Sequence, residues 1–231
     1  MIQLQRLLFF ISLLFTSFIV NAQQDQELDT VKTKQVYGIR FGVDISKPIT
    51  TFFENDYKGI EIVADARVYK DFYAAVEFGY DNKTTIEDYL NFTTKGSYVK
   101  IGANYNAYDN WIGMTNEIFV GVRYGISFFE HKVNSYTPNI YGTYFTPETK
   151  EPNTEFNGVN AQWAEFIVGI KVETLKNLYM GFSLSFKAIT SSKDPDNFKN
   201  LYIPGFYKVS LNNMGFGFNY TLSYLIPYAR K

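Results

Sequence analysis

From Tyr37 onward, apolar side chains recur at every second position. In the first such run Tyr37, Ile39, Phe41, Val43 and Ile45 share one parity, and Gly38, Arg40, Gly42, Asp44 and Ser46 share the other. This is the period of a β-strand with one apolar and one polar face. The same alternation marks segments at about 37–46, 58–69, 72–81, 96–107, 115–129, 161–173, 177–189 and 208–225. Eight strands are therefore expected, most of them as long as the roughly 9–11 residues a tilted strand needs to cross a bilayer.

The connections alternate in length. Long ones follow the odd strands: KPITTFFENDY, DNKTTIEDYLNFTTK, the stretch from Glu130 to about Asn160, and TSSKDPDNFKNLYIPGFY. Short ones follow the even strands, at Lys70-Asp71, around Asp109-Asn110, and at Leu175-Lys176. Short turns at one end and long loops at the other are the habit of outer-membrane barrels. The TTIEDYLNF segment of the second loop is expected to make a helical turn over the barrel mouth.

Period two also suits a soluble sandwich or a lipocalin-like barrel, whose apolar face turns inward. Glycine separates the two readings. Gly42, Gly79, Gly102, Gly121, Gly125, Gly169, Gly181, Gly215 and Gly217 all fall on the polar parity. A water-facing sheet loses stability from glycine there, whereas a narrow polar lumen gains room for long side chains reaching across it. On the final strand the glycines are expected to make space for Arg40 and Lys187.

The chain ends sharpen this picture. Arg6 precedes LLFFISLLFTSFIV, and Val20-Asn21-Ala22 makes a small-residue exit. This reads as a cleaved secretory signal over residues 1–22, too short for a spanning helix. Residues 23–36 are polar and unpatterned, and read as a flexible periplasmic lead-in. Residues 37–231 then form an all-β, eight-stranded antiparallel up-and-down transmembrane barrel with four long extracellular loops and both termini periplasmic. The chain has no cysteine, so neither a disulfide framework nor a lipid-modified cysteine is available. Its charge of −1 and the lack of a basic stripe argue against nucleic acid as a partner.

The inward parity carries the acids Asp44, Glu61, Asp65, Glu77, Glu117, Glu165 and Glu173 and the bases Arg40, Arg67, Lys100, Arg123, Lys171 and Lys187. An eight-stranded barrel is just wide enough for side chains to fill, so these nearly balanced charges are expected to pair into a closed core. An ion-selective pore would need an excess of one sign.

Catalytic and metal chemistry find little support. The one histidine, His131, has Phe129 and Val133 at the same-face positions two residues away, with Ser127 and Ser135 four away. A serine-histidine pair would need a partner from another strand. One histidine without cysteine leaves only carboxylates for a metal, and GFGF near the C-terminus lies inside a strand pattern rather than before a helix. No catalytic residue, metal site or cofactor is expected. The third loop is aromatic, with Tyr136, Tyr141, Tyr144, Phe145 and Phe156, and such loops mark contacts with an extracellular protein or glycan or pack on themselves.

On these features the chain resembles the small outer-membrane β-barrel proteins of Gram-negative bacteria, the OmpA/OmpX-like group, and in particular its uncharacterised families. Asn213, Gly215, Phe218 and Tyr220 match the order of the recognition signal of such barrels: polar, any, Gly, any two, aromatic, any, aromatic. The chain departs from the pattern by continuing through LIPYARK. The resemblance implies location in the outer membrane, contact with its lipid and insertion by the barrel assembly machinery. It implies no shared activity; the role read from the chain is non-enzymatic, presenting loops for adhesion, envelope integrity or partner binding. Alternatives are a component of an export or motility machine, a narrow solute- or lipid-handling channel, and a soluble periplasmic binding barrel.

Overall fold

The computed structural model describes residues 36–108, 115–138, 148–195, 199–210 and 212–230. Eight long antiparallel strands close into a barrel: β1 (Val36–Asp44), β2 (Tyr57–Tyr69), β3 (Phe72–Glu87), β4 (Leu90–Asn106), β5 (Glu117–Tyr136), β6 (Thr154–Leu175), β7 (Leu178–Ser192) and β10 (Met214–Arg230). Each pairs with its chain neighbours, and β1 pairs with β10 to complete the ring. Closure leaves no sheet edge along the shared ladder, the condition for a β-structure in lipid. A helix, α1 (Ser46–Phe53), follows β1, and a small hairpin of β8 (Tyr202–Ile203) and β9 (Tyr207–Lys208) lies between β7 and β10.

The alternation resolves as inside and outside. Ile39, Phe41, Val76, Phe78, Ile101, Val122, Phe166, Leu184, Phe216 and Phe218 project outward and are exposed, while Arg40, Asp44, Glu61, Lys100 and Glu165 are buried within. Among the described residues no helix is long and apolar enough to cross a membrane. Toward the loop end the outer face turns polar, with ion pairs Lys95–Glu130 at 2.8 Å and Lys132–Glu155 at 3.7 Å. The apolar girdle thus has a defined upper limit.

Two expectations change. The second outer connection is not a loop with a helical turn: β3 and β4 stay paired as far as Glu87↔Leu90 and reverse through Asp88 and Tyr89. Its Thr-rich sequence favours a strand, and cross-strand pairs such as Thr84–Thr93, with hydroxyls 3.0 Å apart, continue the ladder. The helix forms instead in the first connection, where Pro48 sits in the first turn, which needs no amide hydrogen there. The last barrel strand begins at Met214 rather than near 208, because residues 202–208 make the separate hairpin. The expected turn at Asp109-Asn110 lies outside the described residues.

Candidate functional site

Among the described residues, layers of paired charged and polar side chains occupy the lumen. Nearest the end where β1 starts and β10 finishes, Arg40 donates to Asp65 Oδ1 at 2.6 Å and to both Glu117 carboxylate oxygens at 2.7 and 3.0 Å. Lys171 pairs with the other Asp65 oxygen. The Arg40 guanidinium lies between the rings of Tyr73 and Tyr179, 4.8 and 5.2 Å from their centroids. Its fork and plane are thus both used, which lysine could not match. Arg67 and Glu173 sit at the mouth outside this cluster, Arg67 bonding the Tyr73 hydroxyl and Glu173 accepting from Thr115.

In the middle layer Lys100 Nζ lies 2.6 Å from Glu77 and 3.1 Å from Glu61, and Arg123 donates to Glu77 at 2.9 Å. Tyr98 donates to Glu61, and Asn219 bridges Glu61 and Asp44. Asp44 also accepts from Ser46 and from the Tyr220 amide. A cavity of about 40 Å³ bordered by Glu61, Asp65, Glu77, Asn104, Arg123 and Lys171 is the gap that remains there, enough for water but not a permeating solute.

The upper layer holds Glu165 and Lys187 3.6 Å apart, with the Trp163 indole donating to Glu165 at 2.6 Å. Here the chain adds a plug. Residues 203–206 form a type II turn, with Pro204 at its first corner, Gly205 at φ +81° at its second, and the Phe206 amide bonded to Ile203 O at 3.0 Å. The hairpin dips into the barrel. Ile203 and Phe206 are fully buried against Tyr98, Phe129, Val159, Ala161 and Trp163. A Cβ on Gly205 would lie 2.6 Å from the Tyr98 ring, so the turn seats only with glycine.

Polar hooks fix the plug from below. Lys187 donates to Gly205 O at 2.7 Å, and the Gly205 amide donates to Asp81 Oδ2 at 2.9 Å. Asp81 also receives Tyr57 at 2.7 Å and Lys47 at 2.8 Å. Burial, followed by the charge of Asp81, holds the Tyr202 phenol well above its ordinary value, so it stays a neutral hydroxyl.

Neither Lys47 nor Asp81 belongs to the charge set drawn from strand parity. Lys47 falls in the apparent loop KPITTFFENDY, and Asp81 at the very end of an expected strand. Asp81 has the same parity as Glu77 and Gly79, which was the available signal; for the hairpin the signal was the turn sequence IPGF.

Of the nine lumen glycines, four face rings and five face backbone or polar side chains. A Cβ on Gly79 would meet Tyr98, on Gly125 Trp163, and on Gly169 Phe119. On β10, Gly217 accommodates the end of Lys187, whereas Gly215 faces Phe206; Arg40 lies between its tyrosines instead.

Of the loop aromatics, Tyr136 ends β5 and bonds Lys150 through the backbone in both directions. Phe156 packs against the interior cluster. Tyr141, Tyr144 and Phe145 lie outside the described residues. Asn213 precedes β10 at φ +57°, Gly215 faces inward, and Phe218 and Tyr220 are exposed on the outer face, in the half of β10 nearer the loops. His131 is buried, with Nδ1 2.6 Å from the Thr94 hydroxyl and Nε2 2.8 Å from Asn200 Oδ1. Among the described residues no group of three or more His, Cys, Asp or Glu is arranged to hold a metal.

One family model, described as "Domain of unknown function (DUF6048)", matches residues 2–231. No curated protein matches the chain. Among solved structures, the crystal structure of Neisserial surface protein A is similar at 11% identity and a TM-score of 0.41, covering 82% of this chain and 94% of that one. Ail, the attachment invasion locus protein of Yersinia pestis, is similar at 8% identity and a TM-score of 0.39, covering 82% of this chain and 96% of that one.

Proposed function

The chain belongs to the DUF6048 family, and we propose that it is a non-enzymatic outer-membrane barrel with a sealed lumen, presenting its loops for adhesion, envelope integrity or binding of a protein or glycan. The observation that carries this reading is the pairing of two surfaces. Outside, apolar residues such as Phe41, Ile101, Val122 and Phe216 stand exposed around the ring. A continuous girdle of this kind exceeds what a soluble monomer leaves open to water, and lipid is the medium that covers it.

Inside, ion pairs cross each of the three described layers, and the hairpin covers the top. Such a barrel gives a rigid mount rather than a conduit. The three longest connections, after β1, β5 and β7, lie at one end, opposite the start of β1 and the end of β10, which suits termini in the periplasm and loops outside. The same orientation makes lipid the permanent partner and the barrel assembly machinery a transient one.

Planar-bilayer recording of the purified full chain tests the sealed lumen, with flotation on vesicles checking insertion. Inserted protein without steady conductance is the expected result; a stable open channel would replace this reading with the transport one. Crosslinking with and without residues 136–156 tests display, since a partner retained by the deletion would not bind through that loop.

A further inference from the structure

The barrel wall is incomplete on one side. β1 ends at Asp44, opposite Thr221 of β10, and pairs with β2 only from Ile39↔Ala66 to Val43↔Ile62. Beyond that level β10 runs on from Tyr220 back to Met214 and β2 from Glu61 to Tyr57, with no strand between them. Strands lie about 4.8 Å apart, so one missing strand leaves a slot of about 10 Å. A helix with its side chains is about 10 Å across, and α1 fills that slot.

The two sides of α1 differ. Ser46 and Lys47 are buried toward the lumen, while Ile49, Phe52 and Phe53 are exposed, the last two at 82% and 77%. On the flanking strands Ile60, Phe216 and Phe218 are likewise exposed apolar residues of the girdle, so the exposed side of α1 adds to the lipid-facing surface. A helix laid into a sheet lacks the ladder that holds a strand. Its polar ties to the wall are few: within the helix, the Gly59 amide to Thr51 Oγ1 at 3.0 Å and Lys47 to Asp81 inside the barrel; at its two ends, the Ile45 amide to Tyr220 O at 2.7 Å and Lys83 to Glu54 at 2.7 Å.

Behind α1 the lumen is lined by rings. The Lys47 ammonium lies 4.7 Å from the Tyr207 ring, 5.1 Å from Tyr98 and 5.9 Å from Tyr57. Tyr202 stands edge-on to Tyr207, and its hydroxyl is buried without a hydrogen-bond partner. A slot one strand wide, walled by aromatic rings and with an unused hydroxyl nearby, matches one hydrocarbon chain with a polar end.

We propose that α1 is a lateral gate latched by Lys47 and Asp81, and that its outward movement admits a single acyl chain of a surrounding amphiphile into the upper lumen. The chain takes the place of the Lys47 stem among the tyrosines, and its polar end meets the Tyr202 hydroxyl. The inference rests on the membrane reading above, but not on which partner the loops bind.

The absence of native cysteine makes the test clean. Ser185 is a buried lumen residue on β7, beside Gly217 at the slot, and Ser185→Cys gives it a reporter thiol. The full chain in phosphatidylcholine vesicles is treated with dodecyl maleimide or with a sulfonated, membrane-impermeant maleimide. Adding Lys47→Met should speed dodecyl maleimide labelling by roughly tenfold or more, with less than about a twofold change for the sulfonated reagent. Equal acceleration of both reagents would mean that the top of the barrel opened instead, and no acceleration would mean that α1 is a fixed wall; either overturns the gate. If Lys47→Met does not fold, judged by heat-modifiable gel mobility, Thr51→Val loosens the same helix and decides the point by the same criteria. Failure of the protein to float with the vesicles would refute the membrane reading, a result distinct from a closed gate.

Discussion

Lys47 Nζ lies 2.8 Å from Asp81 Oδ1 in the closed upper lumen, and the same carboxylate holds the hairpin through the Gly205 amide. One aspartate therefore fastens both pieces that are not part of the barrel ladder. Both residues are almost fully buried, so the charge of each requires the other. Lys47→Ala should lower stability by about 3 kcal/mol, the low end for a broken buried pair, because Tyr57 and Gly205 still bond Asp81. Urea unfolding in detergent micelles followed by gel mobility measures it, and a loss below about 0.5 kcal/mol would mean water already reaches the pair.

Arg40 is the joint of the lower network. Arg40→Met leaves Glu117 without its ion-pair partner, while Asp65 keeps Lys171, and should cost about 3–5 kcal/mol, whereas adding Glu117→Gln to it should recover part of that loss. Additive effects in this double-mutant cycle would show that the 2.7 Å contact between them carries no coupling.

Glycines on the two sides of the wall should respond differently. A Cβ on Gly125 would come 2.3 Å from the Trp163 ring, so Gly125→Ala overpacks the core and should cost about 3 kcal/mol, the upper end for overpacking. Gly158 has φ +71° with nothing within 4 Å of a Cβ, so Gly158→Ala carries only the backbone penalty of about 1 kcal/mol. Equal losses would contradict the packed lumen.

Much of this fold follows from parity. The apolar and polar sets of β1, β5 and β7 separate as outside and inside because a strand reverses direction at each residue. The lumen is harder to read. Tyr57, Tyr73, Tyr98, Trp163 and Tyr179 are buried inside, although hydrophobicity alone would assign them to the lipid side. They fit because glycines opposite, such as Gly79 and Gly125, make the room, a pairing between strands that no single-strand pattern contains. The role of α1 depends on β1 being shorter than its neighbours, and the hairpin turns inward because of contacts far apart in the chain. Period two over 208–225 carried the last strand back to Lys208, the end of that hairpin, although the strand starts at Met214.

Tyr202 offers a prediction on pH. Its hydroxyl is buried without a partner, so Tyr202→Phe should be neutral or stabilising by up to about 1 kcal/mol. Its pKa is raised well above the ordinary 10.0. The folded state therefore keeps a proton that the unfolded chain releases above that pH, and stability falls as pH rises past 10. Replacing Tyr202 by Phe should make that alkaline fall shallower by one proton, read from urea unfolding at a series of pH values. An unchanged slope would show that this phenol ionises alike in both states.

The central claim, a closed barrel whose apolar face meets lipid, is tested most directly by fractionating cells that express the full chain and running the outer-membrane fraction on gels with and without heating. The account predicts recovery in the outer membrane, as a band that shifts in mobility on boiling as the barrel unfolds. Recovery in the soluble periplasmic fraction would contradict it.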